Sequence, residues 1–177
     1  MARLRRLQAI EYLYSLKKEV ICLLTIKELQ DYLENSNSNF EILTHDTPIV
    51  STQDAAKYFD IEKAAPTFIM DTKQGLVALI VSSKRGKLDY KAIKRELGFS
   101  RFTMANEEKT QNTIGYRIGN IPLIGHNLPC VFDDYLLDYD FIFGGSGEEL
   151  STLKISPKDV LRLNNVIKHI GLLLSKR

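Results

Sequence analysis

Hydrophobic and polar positions alternate along this chain in two distinct periods. Leu4, Leu7, Ile10, Leu13 and Tyr14 recur at spacings of three and four, which predicts an amphipathic helix over residues 3–18. Thr25-Ile26-Lys27-Glu28 has the capping-box pattern, so a second helix is expected from Ile26 to about Leu33. The polar tract 35–39 ends it, and Phe40 to Leu43 reads as a short strand. Ser51 to Asp54 opens a short helix running through Tyr58. Thr67 to Met70 and Leu76 to Val81 are apolar runs around a Gly-containing loop, the pattern of a β-hairpin.

Asp89 and Asn106 are placed to cap two further helices, stopped at Gly98 and Gly115, with a strand expected between them at Arg101 to Met104. Further strands are expected at Cys130 to Asp133, Phe141 to Phe143 and Thr152 to Ile155. Ser156-Pro157-Lys158-Asp159 is a strong helix start, and the apolar spacing from Val160 to Leu173 predicts a closing amphipathic helix. Interleaved strands and helices point to an α/β fold of the mixed α+β kind, a mixed sheet with helices on its faces.

Composition narrows the chemistry. With 177 residues, the chain is long enough for one domain with a full core. Three His and two Cys exclude a disulfide scaffold and leave little from which to build a multi-ligand zinc site. Cys22 and Cys130 are expected to be reduced thiols in a cytosolic protein; no cofactor or metal is called for. No stretch approaches the roughly 20 apolar residues of a membrane span. The N-terminal arginines are followed by charges that a secretory segment would not tolerate.

The net charge of +2 averages over segregated segments. Lys84 to Arg95 holds six basic residues and one acidic, and Lys154 to Arg177 has the same count. Val131 to Leu150 holds six acidic residues and no basic one. Such unevenness suits contact with a polyanion's backbone, although a solvated helix face explains any single run.

Glycine is concentrated: six of the ten fall within residues 115–147. Gly115, Gly119 and Gly125, with Pro122, make a constrained loop able to present N–H groups to an oxyanion or phosphate. Gly144-Gly145-Ser146-Gly147 matches neither a nucleophile elbow nor a phosphate-binding fingerprint. It reads either as a tight turn between strands or as bare backbone that lets a ligand approach. His45 and His126 lie in loops and are candidates for placing substrate or water. His169 is expected to pack on a helix face.

Taken in order, these pieces resemble the YbaK family, the editing-domain superfamily of aminoacyl-tRNA deacylases associated with prolyl-tRNA synthetase. The matching pieces are Phe40 to Pro48, the Ala-Ala segment near Asp54, and Pro66-Thr67-Phe68-Ile69-Met70 with its hairpin. They continue through Gly115-Tyr116-x-x-Gly119, Leu128 to Asp133, the glycine turn, and Leu153 to Asp159. The resemblance implies one domain over residues 25–177 with a curved mixed sheet, preceded by a helical extension at 1–24. It implies a pocket for the 3′ end of a mischarged tRNA, hydrolysis of the aminoacyl ester, and an aminoacyl-tRNA synthetase as a possible partner. Thr67 and Gly119 carry over best as catalytic positions, with His45, Gly115, Pro122, Gly125, His126 and Gly144 to Gly147 around the substrate. The family's lysine before the threonine is replaced by Pro66, and the position four after Gly119 is Leu123, with the proline at 122. Two readings follow: a trans-editing hydrolase, or a catalytically silent module that binds tRNA or a small aminoacyl ligand.

Overall fold

A computed structural model describes residues 23–171. The helix expected over residues 3–18, and Cys22, lie outside the described residues.

The first described helix, α1 (Ile26–Asn35), starts at the expected capping box: the Thr25 side chain accepts from the Glu28 N–H and the Glu28 carboxylate accepts from the Thr25 N–H. Its buried Leu29 and Leu33, four apart, lie on one face. Strand β1 (Phe40–Thr44) and the single-turn helix α2 (Thr52–Ala55) follow. The hairpin is β2 (Thr67–Thr72) with β3 (Gly75–Ile80), paired antiparallel with Thr67 opposite Ile80. Helices α3 (Tyr90–Leu97) and α4 (Glu107–Ile114) are capped by Asp89 and Asn106 and end at left-handed Gly98 and Gly115, as expected. Between them β4 (Thr103–Met104) is only two residues long. Strands β5 (Pro129–Asp133), β6 (Ile142–Gly145) and β7 (Ser151–Ile155) lead to helix α5 (Pro157–Leu163) and strand β8 (Asn165–Ile170).

The mixed α/β fold is as expected, and its strands are divided between two sheets. A mixed five-stranded sheet has the order β4-β2-β3-β5-β8, and an antiparallel three-stranded sheet has the order β1-β7-β6. A bridge between Ala64 and Phe143, with the Ala65 N–H donating to the Phe143 carbonyl at 2.7 Å, ties the two together. Strand β3 is buried on both faces, which explains its unbroken apolar run. Leu76, Ala78 and Ile80 join the core shared with α1 and the small sheet, whereas Val77 and Leu79 join a second core with Ile93 and Leu97 of α3.

The closing helix expected through Leu173 stops at Leu163. Asn164 is extended, and its side-chain amide donates to the carbonyls of Leu123 and Val160. The chain then runs parallel to β5, Cys130 opposite Val166 and Phe132 opposite His169. The open edge of β5 offers ladder hydrogen bonds that an exposed helix extension lacks, and β-branched Val166, Ile167 and Ile170 favour the strand. His169 is therefore exposed on a strand, 2.7 Å from Asp134, and does not pack on a helix face.

Candidate active site

A cleft of about 310 Å³ opens where the small sheet meets the loops before β2. Its apolar wall includes Ile49, Ala55, Ile61 and Pro66, with Phe59 and Phe143 stacked at 4.8 Å between ring centroids. Gly119, Asn120, Gly144 and Gly145 supply backbone, and Ser51, Thr52, Ser83 and Thr152 supply hydroxyl-bearing positions. Glu148 and Glu149 also line it; among the described residues no Lys, Arg or His does. Among the described residues no group of three or more His, Cys, Asp or Glu could hold a metal ion.

The glycines divide into two kinds. Gly144 and Gly145 lie inside β6, so only the residues after them form the turn. A Cβ on Gly145 would sit 2.0 Å from the Ile121 carbonyl oxygen, and one on Gly144 would sit 2.5 Å from the Leu123 side chain. These two glycines let the loop 119–123 press onto the strand, where the Leu123 N–H donates to the Gly145 carbonyl at 2.9 Å. Buried Pro122 packs against the same strand. Gly119 is different. Its φ of +99° disfavours any other residue, yet a Cβ there would meet nothing within 4 Å. It faces open space in the cleft.

The remaining predicted positions are spread out. Gly115 and Gly147 line an adjoining hollow that shares Asn120, Glu148 and Glu149 with the cleft. Gly125 lines a third hollow beside Leu24 and Leu163. The Ser146 hydroxyl is held at 2.7 Å from that of Ser151 and donates to the Ser151 carbonyl, which stabilises the β6–β7 turn. Thr67 does not line the cleft, though Pro66 beside it does; the Thr67 Oγ1 is buried with no partner among the described residues. His126 also lies away from it, 2% exposed, with its Nδ1 accepting from the Leu128 N–H and its pKa pushed by burial down to about 4. Lys63 is not part of the lining either.

His45 stands one layer behind the cleft wall. It is 6% exposed, packs against Tyr58, and its Nε2 lies 2.7 Å from the Oγ1 of Thr152. Burial lowers its pKa below the usual histidine value, against opposing contributions from the Thr44 backbone and the Asp46 charge. The sequence reading missed Thr152, Asn120, Phe59 and Phe143. Asn120 and Phe143 adjoin the glycine segments without a pattern of their own, and Thr152 and Phe59 sit in no motif. The partner of Thr152 is 107 positions away in the chain, so no local pattern marks it.

Cys130 is fully buried and its thiol is pushed up to about 12 by burial, so it offers no nucleophile.

A cleft that pairs an apolar wall with bare backbone and hydroxyls suits a small acyl group rather than a nucleotide phosphate. Residues 46–163 match the model of the aminoacyl-tRNA editing domain, and the chain belongs to that family. The fold agrees. A proposed trans-editing enzyme for prolyl tRNA synthetase superposes with a TM-score of 0.70 at 22% identity, over 82% of this chain and 96% of that one. The hypothetical protein APE2540 gives 0.69 at 19%, over 80% and 96%. A proposed signal transduction protein from Marinobacter aquaeolei VT8 gives 0.58 at 17%, covering 84% of this chain but 30% of that longer one. At these identities the likeness is one of fold. No helix among the described residues is long and apolar enough to cross a membrane.

Proposed function

We propose that the protein is a trans-editing deacylase that hydrolyses the ester of a mischarged aminoacyl-tRNA. The observation that carries this reading is the open, positive-φ backbone at Gly119 facing a cleft with an apolar wall. Such a backbone can donate N–H groups to the ester oxygen while Phe59, Phe143 and Ile61 cover the amino-acid side chain. The tRNA 3′ end enters the cleft, the ribose hydroxyl beside the ester assists, and a synthetase is a natural partner because it makes the substrate. The reaction belongs in the cytoplasm, where tRNA is charged.

Pro66 favours a second reading. It lines the cleft at the position where the family resemblance implies a lysine. A cleft without that cation is compatible with a silent module that binds an aminoacyl-tRNA end without cleaving it.

Hydrolysis of a panel of mischarged tRNAs, measured beside Gly119→Val, separates the two. The deacylase reading expects at least one ester to decay faster than in buffer, and the variant to lose that rate. No accelerated decay, with retained and salt-dependent tRNA binding, supports the silent module.

A further inference from the structure

Among the described residues no cationic side chain lines the cleft, but the His45–Thr152 pair gives it an oriented neutral donor. Thr152 lies in the middle strand of the small sheet, opposite Leu43 on β1 and Gly145 on β6. Paired residues on neighbouring strands present their side chains to the same face. The absent Cβ of Gly145 points at the Ile121 carbonyl, so Thr152 faces the loop that carries Gly119. Because its cross-strand neighbour is a glycine, no side chain stands directly opposite it on β6.

The hydroxyl is fixed from behind. His45 Nε2 sits 2.7 Å from Oγ1, and His45 Nδ1 is buried with no partner among the described residues. A neutral imidazole carries one N–H. Placed on Nδ1, that hydrogen would find, among the described residues, only the Thr44 backbone, short of a full hydrogen bond, and folded proteins avoid a poorly matched buried donor more strictly than an unmatched lone pair. Placed on Nε2, it donates to Thr152 Oγ1 and leaves the threonine's own hydrogen to point elsewhere. Thr152, though 6% exposed, lines the cleft.

We propose that Thr152 donates a hydrogen bond to the carbonyl oxygen of the aminoacyl ester, and that His45 is the positioning residue that aims it. This rests on the deacylase reading. Water adds to the carbonyl carbon and the π pair moves onto the oxygen, where Thr152 and the Gly119 backbone hold it. Collapse expels the ribose oxygen, which takes the proton given up by the water. The products are free amino acid and tRNA. No proton passes through Thr152 or His45.

The test is single-turnover hydrolysis of the best mischarged tRNA from the panel. Removing one oxyanion donor typically lowers the rate about 10²–10³-fold, so Thr152→Val is expected to fall by that factor with half-saturation unchanged. Thr152→Ser restores most of the rate. His45→Gln, which keeps an N–H near the position of Nε2, stays active, whereas His45→Phe falls with Thr152→Val. The Gln and Phe pair carries the same contrast should Thr152→Val fail to fold. A wild type that hydrolyses and a folded Thr152→Val that keeps pace with it overturn this proposal alone, as does a loss confined to half-saturation. A wild type that hydrolyses nothing overturns the deacylase reading and this one with it.

Discussion

Two buried polar pairs in this molecule are finished in different ways. Asp133 and Arg85 form a two-pronged ion pair at 2.6 and 2.8 Å, with side chains 0% and 4% exposed. Asp133 also accepts from the N–H groups of Ser82 and Tyr135, and Arg85 donates to the Gly171 carbonyl and stacks over Tyr135. This pair ties β3, β5 and β8 together. His45 and Thr152 make one good hydrogen bond and leave an imidazole nitrogen unmatched among the described residues, and of the two pairs this one touches the cleft. The contrast teaches where chemistry sits in this fold. At Asp133 a completed network holds the large sheet, and at His45 an incompletely matched one borders the space for a ligand.

The sharpest way to break the comparison is at the completed pair. Asp133→Ala leaves Arg85 buried without its counter-charge, and unfolding in denaturant should show a loss of about 3–5 kcal/mol. A loss below about 1 kcal/mol would mean the pair is solvated like a surface bridge.

His126 provides the next largest effect. Its folded pKa of about 4 lies below the ordinary value of 6.5, so the unfolded chain binds its proton first as pH falls. Its contribution is fully present above pH 6.5 and is lost progressively down to about 4. Two to three units of depression correspond to about 3 kcal/mol. His126→Gln should flatten the fall of unfolding free energy across that window, and an unchanged slope would contradict the buried, neutral imidazole.

Gly145→Ala probes the close approach beneath the cleft. A Cβ 2.0 Å from the Ile121 carbonyl oxygen forces the loop 119–123 away from β6. Overpacking of this kind costs about 1–3 kcal/mol, measurable by denaturation, with deacylation falling further than stability. Gly119→Ala should be the mildest for folding. It meets no neighbour, and its cost of order 1–3 kcal/mol arises from backbone conformation alone, with the smaller end expected for a loop free to adjust. Its effect should concentrate in the hydrolysis rate.

Much of the framework is legible in the sequence because local rules govern it. Thr25, Asp89 and Asn106 cap their helices, Gly98 and Gly115 end two of them, and the 67–81 hairpin forms as its pattern implies. The segment after Leu163 is ambiguous in sequence because Val166, Ile167 and Ile170 satisfy helical spacing and β propensity equally well. A free strand edge supplied from β5, more than thirty residues earlier, decides it. The candidate site is legible only in part for the same reason. Gly119, Gly144 and Gly145 stand out as unusual composition, yet two of them serve the packing of the chain on itself. His45 stands out by residue type alone, and Thr152 by nothing.

The most direct test of the cleft as the aminoacyl site is amide chemical-shift mapping with a non-hydrolysable 3′-aminoacylamino adenosine. The account predicts perturbations centred on Gly119, Asn120, Gly145 and Thr152, with Asp71 and Asp133 unmoved. Perturbations centred on the large sheet, or none at saturating ligand, would contradict it.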